Sequence, residues 1–369
     1  MKQGQTLQEL AAELDRQNSA KRDYVADTRR MHFTTITEQD REGEQDGRWS
    51  EIDLVGEGAG DDTSGLIVTD HTAHQLADHL KIPFGFYQRL YGGLPDLLDT
   101  NVNRLLHHNP QRRMLRTLDG RARAFLSDRY RRLDNFELAQ TLLPILNDIG
   151  EGVRIESCAL TEKRMYIKAI TPRVGGQVKV GEEVCAGVFI SNSEVGEGRL
   201  RVEPLVYTLA CSNGMVVPKS LGTALRRIHV GRRVENEADS YAIFRDETLQ
   251  ADDQAFFMAA ADVVRAAVDE VRFRELTEAM RAAAEGRPLE SVTLGVERLA
   301  KAEDLNDQEK DSVLTHLAAG GDLTQWGVLS AITRASQDVE SYDRATELEE
   351  LGGKVLAYSA REWDALATA

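Results

Sequence analysis

Eight arginines crowd residues 111–135, QRRMLRTLDGRARAFLSDRYRRLDN: Arg112, Arg113, Arg116, Arg121, Arg123, Arg129, Arg131 and Arg132. As far as Arg132 only Asp119 and Asp128 oppose them, so 8 − 2 leaves a local charge of +6. Every cation in the stretch is Arg. A guanidinium is a planar fork that grips two phosphate oxygens together, which an ammonium does not do. Phe125, Tyr130 and Phe136 are interleaved, and an aromatic ring among phosphate contacts can stack on a base. A second basic segment covers residues 219–233, with Lys219, Arg226, Arg227, Arg232 and Arg233 and no acid. Cations in these two patterns either track a polyanion backbone or pair with the chain's own carboxylates.

Other chemistry is thinner. The carboxylates nearest the arginines are Asp119, Asp128, Glu194 and Glu197, and Glu194 in its polar loop is the one to test for metal-dependent hydrolysis. No His-Glu-x-x-His, phosphate-binding loop or Cys/His metal spacing accompanies them. The run Gly56-Glu57-Gly58-Ala59-Gly60 lacks the Lys-Ser/Thr of a phosphate cradle, and Asp61 and Asp62 would repel phosphate. His71, His74 and His79 read as exposed helix histidines, since no acidic partner is arranged between them. Cys158, Cys185 and Cys211 are an odd, widely spaced set in apolar surroundings, which reads as buried reduced thiols. No metal and no cofactor is implied.

The chain of 369 residues carries 45 Lys+Arg against 61 Asp+Glu, a formal charge of −16. That balance argues against a surface that coats nucleic acid throughout, and leaves room for one basic groove between acidic flanks. Hydrophobic content of 41% and charged content of 29% suit a globular protein. No apolar run of about 18 residues exists, and the opening MKQGQTLQEL has no signal core, so no membrane segment and a cytoplasmic location are expected.

Residues 1–30 read as an amphipathic helix, with Leu7, Leu10, Ala11 and Leu14 at helical spacing, then a charged segment. Residues 38–62 form an acidic, Gly-rich loop with one short strand near 49–55. A strand at 66–68 leads through Thr69-Asp70 into a helix reaching Leu80, followed by an aromatic segment at 84–90 that packs in the core and a helix at 96–107. Asp119-Gly120 is a hairpin signal between strands 114–118 and 121–126. Strict alternation would put Arg121, Arg123 and Phe125 on one face and Ala122, Ala124 and Leu126 on the other. Asp134 or Asn135 should cap a helix at 136–146. Strands follow at 153–160, 164–170, 184–191 and 199–211, with Pro204 marking a bulge or an edge. Leu221, Leu225 and Ile228 suggest a helix over the second basic segment, its outer edge cationic. From residue 235 the chain reads as acidic helices, beginning with one long helix over 252–281.

The expected fold is α+β: a central antiparallel sheet packed with helices and a helical C-terminal region. It divides into a mixed N-terminal region (1–110), a basic core (111–234) and an acidic helical region (235–369).

RTLDGRARAFLSDRYRRLDN (116–135) and FISNSEVGEGRLRVEPLVYTLACSNGM (189–215), together with WGVLSAIT (326–333) and residues 347–356, resemble the phage/plasmid-like protein family that carries a domain of unknown function. The resemblance covers most of residues 80–360 and implies no activity. The order of helix, antiparallel strands and basic helix is similar, more loosely, to single-strand annealing recombinases of the Red-beta and Rad type. That similarity implies rings or filaments that lay single-stranded DNA in a basic groove between a sheet and a helix.

The leading expectation is therefore a single-stranded DNA-binding, strand-annealing protein that acts as a homo-oligomer without catalysis. The eight arginines hold the backbone, Phe125 or Tyr130 stacks on a base, and Lys219, Arg226, Arg227, Arg232 and Arg233 form the opposite wall. The C-terminal helices would make oligomer contacts or recruit an exonuclease or a single-strand-binding protein. The alternatives are a metal-dependent nuclease or phosphoesterase, and a protein-binding assembly component whose arginines lie in subunit interfaces.

Overall fold

The computed structural model describes residues 1–37, 47–55, 63–130, 133–148, 152–222, 224–227 and 246–368. The fold is α+β, with two six-stranded sheets where one had been expected.

The first sheet is built from β1 (Arg22–Asp27), β2 (Met31–Ile36), β3 (Trp49–Leu54), β4 (Leu66–Val68), β5 (Arg112–Leu118) and β6 (Arg121–Ser127) in the order β1-β5-β6-β4-β3-β2. Only β4–β6 is parallel. β1 and β2 are opposite edges, yet only the 3₁₀ turn Thr28–Arg30 joins them. Three residues reach about 10 Å at most, so the sheet must curl until its edges approach. Its concave side encloses Phe33, Ile52, Leu115, Ala122 and Phe125 with the apolar stripes of α2 (Asp70–Leu80), α3 (Phe84–Gly93) and α4 (Pro95–His108). Thr69 caps α2 as the sequence suggested, accepting from the Thr72 N–H. α4 also closes the β2 edge. Asn103 Oδ1 accepts from Phe33 N at 2.8 Å and Asp99 Oδ2 from Thr35 N at 2.9 Å, so side chains satisfy strand groups that would otherwise invite another chain. β1 and β2 carry no clean alternation in sequence and were missed there.

The second sheet contains β7 (Arg154–Leu160), β8 (Met165–Lys179), β9 (Glu182–Asn192), β10 (Leu200–Thr208), β11 (Asn213–Val216) and β12 (Leu225–Arg227), all antiparallel. β12 corrects the helix expected over the second basic segment. Leu225 pairs with Val202, and Arg226 with Arg201. Of the three apolar residues that suggested a helical stripe, Leu225 lies in this strand, Leu221 precedes it, and Ile228 is outside the described residues. Pro204 lies inside β10, where one neighbour ends and another begins: Leu205 pairs with Val216, and Val202 with Leu225. A missing N–H is harmless at such a junction.

One face of the second sheet, including Met165, Ile167, Val188 and Ile190, packs on α1 (Leu7–Ala20), α5 (Asn135–Asp148) and α6 (Asp246–Ala267). The opposite side meets α7 (Glu270–Glu285), α10 (Gln325–Ala335) and α11 (Tyr342–Leu356), with Trp326, Leu348 and Val355 buried there. α8 (Val292–Ala302), α9 (Asp307–Gly320) and α12 (Ala360–Ala367) complete the C-terminal helices. The single helix expected over 252–281 is two, because Asp269 caps α7 by accepting from Arg272 N. At Gly353 an added Cβ would meet Val216 O at 1.9 Å. Glycine there lets α11 lie directly on β11. Cys158 and Cys185 are buried, but Cys211 is exposed in the turn before β11, which corrects the expectation of three buried thiols.

Candidate nucleic-acid interface

The hairpin at Asp119-Gly120 forms as expected, with φ of 52° and 73°, the left-handed pair of a tight two-residue turn. Its alternation is broken. Arg116 pairs with Ala124 and Thr117 with Ala122, which leaves Arg123 without a partner in a β-bulge. An extra residue reverses the faces of everything beyond it. Phe125 therefore joins Ala122 in the closed core at 3% exposure, and Arg123 turns toward the second sheet. The expected shared face of Arg121, Arg123 and Phe125 does not exist, and Phe125 cannot stack on a base. Tyr130 is also engaged inside: its hydroxyl donates to Ser193 O at 3.0 Å.

Two of the arginines fasten the sheets together. Arg116 is fully buried, with Nε on Asp23 Oδ1 at 2.8 Å, Nη2 on Asp134 Oδ1 at 2.8 Å and Nη1 on Glu194 O at 2.9 Å. Burial pulls its pKa down, but Asp134, Asp23 and Glu194 outweigh that and hold it above the ordinary arginine value. Asp134 sits below the usual carboxylate range. Burial would raise it, and Arg116 and Lys21 reverse the effect. Arg123 Nη2 donates to Glu194 Oε2, while Glu194 Oε1 accepts from Asn135 N at 2.7 Å. So a carboxylate from the loop after β9 holds the first N–H of α5, whereas the expected caps face elsewhere. Asp134 holds Arg116 and Lys21, and Asn135 Oδ1 accepts from Asn192. His71 and Gln75 grip the same loop through Val195 O at 2.8 and 2.7 Å.

The remaining cations of the stretch lie at its two ends. Arg121 is exposed at the turn end, near the Arg16–Asp119 pair. Arg112, Arg113 and Arg129 lie at the other end, where Arg112 pairs with Asp27 of β1 and Arg113 with Ser127. Arg29 and Arg30 follow Asp27 directly. Thr28 Oγ1 donates to Leu106 O, which brings the exposed His107 and His108 at the end of α4 alongside. Lys81 and His79 enter from the end of α2. Among the described residues this end carries Arg29, Arg30, Lys81, Arg112, Arg113 and Arg129 along with Asp27, Asp78 and Asp128, and Asp27 is paired with Arg29. Arg113 Nη2 lies 2.6 Å from His79 Nδ1, and its guanidinium sits over Phe125 with 5.8 Å from Cζ to the ring centre. Burial, then Arg113 and Lys81, lowers the His79 pKa to about 4. The imidazole is therefore neutral at pH 7, and the charges that act on it are positive. Of the three histidines, only His74 is exposed as expected, with its ring stacked on Phe84.

The described part of the second basic segment runs along the second sheet. Lys219 and Arg226 are exposed, and Arg226 pairs with Glu203 of the second sheet. Arg227 is placed on β12. Arg131, Arg132, Arg232 and Arg233 lie outside the described residues, as does the glycine run at 56–60. Of the four carboxylates considered for hydrolysis, Asp119, Glu194 and Glu197 are engaged. Asp119 holds Arg16, Glu194 holds Arg123, and Glu197 lies 3.2 Å from His71 Nδ1. Among the described residues, no group of three His, Cys, Asp or Glu could hold a metal ion, and no helix is long and apolar enough to cross a membrane.

A family model described as a domain of unknown function, DUF932, matches residues 124–352. That is more than half of the chain, and the protein belongs to this family. No curated protein and no solved structure gave a significant match. The match begins inside β6, so most of the cationic end lies before it.

Proposed function

We propose that the protein binds single-stranded DNA through the cationic end of the first sheet and promotes annealing of complementary strands, as a homo-oligomer and without catalysis. The observation that carries this reading is Arg113 held against a neutral His79, with Lys81 and Arg112 close by, where positive charge exceeds carboxylate among the described residues. Guanidinium groups in such a place favour phosphate oxygens. With Phe125 and Tyr130 engaged inside, the grip falls on the backbone. A backbone grip leaves base edges open to a complementary strand, which annealing requires. On this reading the protein is a cytoplasmic, phage- or plasmid-type recombination factor. Its C-terminal helices carry 12 Lys+Arg against 26 Asp+Glu from residue 246 onward, and they would face other subunits, an exonuclease or a single-strand-binding protein.

The test is the rate at which two labelled complementary oligonucleotides pair, with and without protein, at low salt. Acceleration by the wild type that Arg112→Glu/Arg129→Glu loses is expected. Folded wild-type protein that neither binds either strand nor speeds pairing would overturn the reading.

A further inference from the structure

A charged cavity of about 340 Å³ opens between β10, β12 and α11, away from the first sheet. Its floor is apolar, formed by Val216, Pro218, Leu305, Leu348 and Leu351. Glu203 at its wall is fully buried and is shared by two arginines, Arg201 and Arg226. One carboxylate between two guanidiniums leaves one positive charge over. Among the described residues the further carboxylate paired with them is Glu350, 2.5 Å from Arg201 Nη1 and about a third exposed. The Arg201 guanidinium is fixed over the Phe189 ring, with 5.1 Å from Cζ to the ring centre, and its buried Nε has no hydrogen-bond partner. The other charges of the cavity are matched at the mouth. Lys354 pairs with Glu303, and Arg344 with buried Glu309 and exposed Glu347.

An arginine pair preorganised by a buried carboxylate, with one solvent-exposed carboxylate on it, is an oxyanion site whose occupant can be exchanged. We propose that this cavity binds a small organic phosphate of about nucleotide size, its phosphate on Arg201 and Arg226 in place of Glu350 and its less polar body on the Val216–Pro218–Leu348 floor. The proposal uses none of the residues at the cationic end, so it stands or falls apart from the annealing reading. Glu350 then acts as a built-in competitor, and its removal should help the ligand.

The probe is AMP, titrated calorimetrically into the full-length protein, with inorganic phosphate as the headgroup alone. Saturable AMP binding is expected, weaker for inorganic phosphate, several-fold tighter in Glu350→Gln and lost in Arg226→Gln. Glu350 is partly exposed, so its amide variant should fold, and it gives the decisive comparison if Arg226→Gln does not. Absence of AMP binding in both wild type and Glu350→Gln, or an affinity that Glu350→Gln leaves unchanged, would overturn the proposal.

Discussion

Arg116 and Arg112 stand four residues apart on one strand and have opposite fates. Arg116 is inside, held by Asp23, Asp134 and the Glu194 carbonyl, and links three chain segments. Arg112 is at the strand end, exposed, beside Arg113 and the turn that carries Arg29 and Arg30. The same side chain is structural where the surroundings supply and position carboxylates for it, and a candidate ligand contact where the nearest one, Asp27, is already held by Arg29. A run of arginines in sequence therefore says nothing by itself about which of them meets a polyanion. Carboxylate placement decides, and it comes from elements as distant as β1 and the loop after β9.

The comparison can be broken most forcefully at Arg116. Removing one member of a buried charge network while its partners stay costs about 3–5 kcal/mol. Arg116→Met should lower the unfolding free energy from urea denaturation by that amount, and Asp23→Asn in the same background should recover part of it. An Arg116→Met protein of wild-type stability would show the network to be idle. Arg123→Met is the next test. Glu194 keeps the Asn135 N–H and a Lys21 ammonium 4.0 Å away, so the loss should be smaller, about 1–3 kcal/mol. Equal losses at the two positions would erase the distinction between hub and spoke.

His79 sharpens the other side. Its folded pKa of about 4 lies below its ordinary 6.5. Between these values the unfolded chain holds more protons, so this group's contribution to stability is full above pH 6.5 and falls as pH drops toward 4. Thermal melts from pH 7 to 5 should show a slope that His79→Asn flattens. Saturating oligonucleotide should raise the His79 pKa, read by proton NMR of the imidazole, because phosphate opposes Arg113 and Lys81. An unchanged imidazole titration would place the polyanion elsewhere. The smallest stability effect belongs to Arg112→Glu/Arg129→Glu, expected within about 0.5 kcal/mol of wild type as for other exposed positions.

Much of this fold was legible in sequence. The hairpin at Asp119-Gly120, the Thr69 cap, the strands from β7 to β10 and most C-terminal helices follow from local pattern, and so does the α+β class. The bulge at Arg123 was not, since a strand read with strict period two has no local sign of an inserted residue. It moved Phe125 indoors and turned Arg123 onto Glu194. The curl that brings Arg29 and Arg30 beside Arg112 was also hidden, because it depends on pairing β1 with β5 across about ninety residues. Glu194 was singled out as a carboxylate near arginines, which is correct in space; its partners show a structural tie. The missed signal was Lys21 and Asp23, two charges in an otherwise bland segment that together complete the network around Arg116 and Asp134.

The most direct test of the cationic end is a salt titration of oligo(dT) binding by fluorescence anisotropy. Each phosphate neutralised adds about 0.7 to the slope of log affinity against log salt for a single strand. The account predicts tight binding at low salt, a steep slope, and a fall of about 1.4 in that slope for Arg112→Glu/Arg129→Glu, with Arg121→Glu close to wild type. Binding with an unchanged slope in the double variant, or a larger loss at Arg121 than at Arg112 and Arg129, would contradict it.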